Sequence, residues 1–254
     1  MKTYSKLLLI LAFGLSACGK KGGDPPPLVP PPPVTPPPVV NSDVANWVTS
    51  GDRGILFQKR NIALNFSTGT AAAPVIQVDS TQTYQTIDGF GYCLTGGSAG
   101  LIHQLPAGQR SALLRELFLT DSTNIGVSYL RISIGASDLS SRIFSYDDNT
   151  NDSSLTYFDL SDDKADLVPL LQEIVALNPS IRILACPWSP PTWMKDNNNA
   201  KGGSLLYKFY PVYAKYFVKY IQAMKAAGIA IDAITPQNEP LNPSNVPSLL
   251  MQDT

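Results

Sequence analysis

At 254 residues with 44% hydrophobic side chains the chain can bury a sizeable core, and its formal net charge of −1 comes without a basic cluster. Nucleic-acid binding is therefore not expected. Three cysteines are too few for a disulfide-built scaffold, and the one histidine, His103, cannot form a metal site by itself.

Lys2 and Lys6 precede an apolar run at 7–15 that is too short to span a bilayer as a helix but suits the core of a secretory signal. The run ends in Leu15-Ser-Ala-Cys18, which resembles the lipobox of bacterial lipoproteins, where cleavage precedes a cysteine that then carries lipid. The resemblance makes residues 1–17 a signal peptide and Cys18 the lipidation site. The protein is then expected to be exported and lipid-anchored to a bacterial membrane, at the outer membrane or cell surface. An ordinary secretory signal with an incidental cysteine is the alternative. Loss of Lys2 and Lys6 with the signal takes the net charge from −1 to −3.

Residues 18–42 are dominated by proline, with few apolar groups and few backbone donors, so they are expected to form a polyproline II tether. At about 3.1 Å per residue, the stretch 24–40 would reach roughly 50 Å from the lipid. Residues 43–85 contain β-prone runs at 46–57 and 62–78, broken by Gly and Ser and lacking helices between them. They read as strands outside the main domain.

From residue 86 onward, short β-rich runs alternate with segments of helical period, which predicts βα units around a parallel sheet. The strands are expected at 86–92, 127–134, 181–186 and 231–235. Helices are expected at 109–118, at 166–177 with Asp166 as cap and Pro169 in the first turn, and along a stripe running from Phe209 to Met224. Gly228 is expected to end the last helix. The fold class is thus α/β, the first half of a (β/α)8 TIM barrel. A whole barrel takes about 250 residues and eight units, whereas 86–254 holds four, so the chain is expected to be a fragment.

In such barrels the chemistry sits where strands end. The residues there read Asp88-Gly-Phe-Gly91 running into Thr95-Gly-Gly-Ser-Ala99; Leu130-Arg-Ile-Ser-Ile-Gly-Ala-Ser-Asp138; Pro187-Trp-Ser-Pro-Pro-Thr-Trp-Met-Lys195; and Thr235-Pro-Gln-Asn-Glu-Pro240. Together, in this order and from about Trp47 to the last residue, they resemble glycoside hydrolase family 30, which includes glucosylceramidases, β-1,6-glucanases and xylanases. The resemblance implies a barrel with an attached side β-sandwich, to which 43–85 would contribute strands. It also implies two glutamates, an acid/base after the fourth barrel strand and a nucleophile after the seventh.

Glu239 matches the acid/base. A glycosidic oxygen is too basic to leave unaided, so a carboxylic acid must protonate it. Asn238 matches the residue that hydrogen-bonds the sugar 2-hydroxyl, and Trp188 an aromatic that packs on the sugar's C–H face, with core burial as its alternative. Trp193 is balanced between site wall and loop packing. Arg131 matches an arginine that keeps the nucleophile ionised, with a plain ion pair to Asp138 as the alternative. One departure stands at Gly96, where many members carry an aspartate.

The resemblance implies a retaining β-glycosidase acting on a β-linked oligo- or polysaccharide or a glycolipid, with neither metal nor organic cofactor. No strand-seven carboxylate falls within 254 residues, so this polypeptide alone is expected to be inactive and poorly stable. A non-catalytic carbohydrate-binding lipoprotein and an inactive truncated remnant are the rival readings. Cys93 and Cys186 read as small core residues, with a bridge between them as the minor alternative.

Overall fold

The computed structural model describes residues 41–69, 74–121, 124–160 and 162–252. The signal peptide, Cys18 and all but the last two residues of the tether lie outside the described residues. The chain divides into two compact units, residues 1–80 and 81–254.

In the first unit, β1 (Trp47–Val48) pairs antiparallel with β2 (Gln58–Lys59). The β-prone runs thus yield less strand than their composition suggests, and the described part of 62–78 contains none. The ribbon is extended instead by main-chain and side-chain bonds that tie Ser42 and Asp43 to Leu64, Asn65 and Phe66. Phe66, Ile76 and Val78 remain exposed. Strand propensity expresses itself only where a partner strand and a buried face exist, and this unit supplies little of either.

The second unit is built on four parallel strands in sequential order, β3 (Gly91–Leu94), β4 (Tyr129–Ile134), β5 (Arg182–Pro187) and β6 (Ala233–Ile234). Each crossover between them is helical except for added loops, as parallel pairing requires. Four helices accompany the sheet: α1 (Gly96–His103), α2 (Ala107–Phe118), α3 (Leu167–Leu177) and α4 (Tyr210–Ala226). The strands bury Leu94, Leu130, Ile132, Ile134, Ile183 and Ala185, and the helices lay Leu114, Phe118, Leu170, Leu171, Ile174, Tyr216, Tyr220 and Met224 on the same core. Each fully buried leucine is worth about 2–3 kcal/mol relative to exposure.

Three local expectations are corrected. The first strand begins at Gly91 rather than at 86, because pairing starts where Phe90 O accepts Ser128 N and Tyr129 N, at 3.0 and 3.1 Å. A Cβ on Gly91 would lie 1.4 Å from Tyr129 O, so only glycine permits this approach. The strand-end motif at 95–99, for which the sequence suggested no helix, opens α1. Thr95 caps it, its hydroxyl accepting Ser98 N at 3.3 Å. Asp166 precedes α3 but makes no side-chain cap bond, because its carboxylate is taken by His103 Nδ1 at 2.7 Å. His103 thus plays the structural part expected of it. Gly228 ends α4 at φ +82°, where Ile229 N closes on Met224 O at 2.9 Å.

Candidate active site

Parallel strands bring all their C-terminal ends to one face, so the motifs after β4, β5 and β6 converge. Arg131, within β4, donates from Nη2 to Asn238 Oδ1 at 2.8 Å and lies 3.0 Å from Cys186 Sγ. Its guanidinium also sits over the Trp188 ring, 4.8 Å from the centroid. Asn238 N donates to Pro187 O at 2.8 Å, and Gln237 Nε2 donates to Trp188 O at 2.7 Å and to Asn238 O at 2.9 Å. The loops leaving β5 and β6 are thereby joined.

Arg131 can only donate, so Asn238 must present its oxygen to it and keep its amide N–H pair for another acceptor. That amide can serve a hydroxyl. Glu239 follows with φ +44°, a left-handed backbone that costs a non-glycine residue about 1–3 kcal/mol and persists where surroundings over-determine it. Its side chain is exposed, and Oε2 accepts Asn242 Nδ2 at 3.0 Å.

The two tryptophans differ, Trp188 staying against Arg131 and Trp193 turning to another loop. Trp188 is 4% exposed, and its indole Nε1 is buried without a hydrogen-bond partner among the described residues. Trp193 is 7% exposed, donates from Nε1 to Asp147 O at 2.8 Å and meets Phe209 edge-on at 5.0 Å. That placement is loop packing, so a substrate-facing indole at 193 would need this hydrogen bond to break. No ion pair joins Arg131 to Asp138 among the described residues; Asp138 Oδ2 instead accepts Asn245 Nδ2 at 3.1 Å. Gly96 lies in the first turn of α1. Cys93 and Cys186 are free thiols.

Sequence reasoning passed over Lys195 and Gln237, although each stands inside a quoted motif. Lys195 is 2% exposed, and burial pulls its amine down to about 8. Thr235 Oγ1 and Gln237 Oε1 are likewise buried without partners among the described residues, which with Trp188 Nε1 makes three such atoms in the stretches that follow β5 and β6. Unpaired buried groups at one strand-end face mark a place where further polar groups are accommodated.

The family model described as the glycosyl hydrolase family 30 TIM-barrel domain matches residues 87–251. The chain belongs to glycosyl hydrolase family 30. The matched span of this family 30 chain contains β3 to β6 and every site residue described above. Among curated relatives, an endo-1,6-β-D-glucanase of Neurospora crassa is 43% identical over 165 residues, covering 62% of this chain and 34% of the relative. The mouse lysosomal acid glucosylceramidase is 32% identical over 180 residues, covering 68% and 34%. A solved endo-β1,6-glucanase superposes with a TM-score of 0.73 at 40% identity, over 84% of this chain and 46% of that one. The family 30 chain therefore spans between about a third and a half of the length of the relatives it matches.

Proposed function

We propose that the site forms part of a retaining β-glycosidase in which Glu239 protonates the departing glycosidic oxygen and Asn238 holds the sugar 2-hydroxyl. The single observation that carries this reading is the Arg131–Asn238 bond, which turns the asparagine amide outward beside Glu239. Retention requires a second carboxylate about 5 Å from the first. The family resemblance assigns it to a position after the seventh barrel strand, beyond the four strands described, so the 254 residues assayed alone are expected to give no turnover. Trp188 would offer its indole edge to the sugar through the unpaired Nε1, and residues 43–85 would belong to the side sandwich.

The substrate we favour is a β-1,6-linked glucan. Relatives named endo-1,6-β-D-glucanases reach 43% identity, whereas those named glucosylceramidases reach 32%. Attachment through Cys18 would hold the enzyme at a bacterial membrane surface, facing polymer outside the cell.

The test is Glu239→Gln in the full-length protein, assayed on a β-1,6-linked glucan. General-acid loss predicts a fall in kcat of about 10²–10⁴-fold. Unchanged turnover would sink the assignment. Glucan binding without release of reducing ends, by parent and variant alike, would establish the non-catalytic binding lipoprotein instead.

A further inference from the structure

Lys195 lies within the loop that follows β5, and its ammonium is buried with no carboxylate partner among the described residues. It donates instead to three neutral oxygens, Ser248 O at 2.8 Å, Ser189 Oγ at 3.2 Å and Ala200 O at 3.2 Å. Taking an ammonium out of water is costly, and the downward pull on this amine reflects that cost. Simple stability would be better served by an apolar side chain of similar length.

The three contacts join two stretches that are far apart in sequence. Ser189 and Ala200 belong to the loop that leaves β5 with Trp188, whereas Ser248 belongs to the stretch after Glu239. Main-chain bonds run along the same seam, from Ser248 N to Ala200 O at 2.9 Å and from Leu250 N to Gly203 O at 2.8 Å. Gly202 N also donates to Ser248 Oγ at 2.8 Å. The held stretch returns to the proton donor. Met251 N donates to Pro240 O at 2.8 Å, and Asn242 Nδ2 donates to Glu239 Oε2 at 3.0 Å.

We propose that Lys195 is a positioning residue for the proton donor, acting through the 240–251 stretch that it pins against the β5 loop and through Asn242 on the Glu239 carboxyl. This rests on Glu239 being the general acid. An acid set in place by remote contacts loses rate when those contacts slacken, because misplacement by about 1 Å can cost on the order of 100-fold.

The experiment uses the full-length protein and two substrates sharing one sugar, a β-1,6-linked glucoside and a 2,4-dinitrophenyl β-glucoside. The second has a leaving group that departs without a proton. In Lys195→Met, kcat/KM on the β-1,6-linked substrate, which reports the step that needs the acid, is expected to fall by about 10–100-fold, with a fall of less than about threefold in kcat/KM on the dinitrophenyl substrate. A merely structural role would lower both together, so equal losses, or none, overturn the proposal. Should Lys195→Met fail to fold, the exposed Asn242→Ala decides. A loss confined to the poor leaving group supports the positioning chain, and an unchanged ratio between the substrates overturns it. Glu239→Gln, run alongside, separates the two ideas. If it too shows no leaving-group dependence, the general-acid reading falls; if it does while Lys195→Met does not, only the role of Lys195 falls.

Discussion

Asp147, Asp163 and Lys195 are ionisable side chains that the fold buries. Asp163 accepts the Tyr146 hydroxyl at 2.5 Å, and burial pushes its carboxyl up to about 7. Its folded-state value is raised above the unfolded one, so its contribution to stability is fully present below about pH 4 and is lost as pH rises through about 7. Asp163→Asn keeps an acceptor for Tyr146 but removes the titration. The variant should therefore lose the fall in stability between about pH 4 and 7, a difference on the order of a few kcal/mol, read by urea unfolding across that range. An identical pH dependence in parent and variant would refute it. None of this was legible in the sequence, where Asp163 is one of several aspartates between 159 and 166 and only the fold places it under Tyr146.

The aromatic stripe of α4 shows how one helical pattern hides unlike roles. Tyr216 and Tyr220 are one turn apart, both fully buried, and both stack on Tyr146, at 5.9 and 5.6 Å. The Tyr216 hydroxyl accepts Tyr146 N at 2.9 Å, whereas the Tyr220 hydroxyl is buried without a partner among the described residues. Tyr216→Phe should thus strand a buried amide and cost about 1–3 kcal/mol, while Tyr220→Phe should be neutral or stabilising. Equal effects on the urea midpoint would contradict the difference in bonding. Period and spacing announced the helix and its buried face, but a hydroxyl's partner comes from another element, 70 residues away. The same limit explains α1, for which the sequence suggested no helix, although Thr95 caps it and its end docks on Asp166.

At the scale of the molecule, sheet order decides the fate of the thiols. Cys93 lies in β3 and Cys186 in β5, on either side of β4, so roughly two strand spacings of about 4.8 Å separate them, beyond disulfide reach. Thiol titration under denaturing conditions without reductant should count both as free. At the other end of the chain, Cys18→Ser should move the protein from the membrane fraction to the soluble one if the lipid anchor is as proposed; continued sedimentation with membranes would exclude it. The sequence by itself determined the βα alternation and set the Asn238-Glu239 pair just past a strand, because hydrophobic period and strand-end motifs are local signals. Tertiary structure alone decided that Arg131 reaches Asn238 across 107 residues, that Trp193 turns to Asp147, and that Lys195 joins two loops. Those are contacts between segments remote in sequence, set by which strands neighbour one another, and no local pattern encodes them.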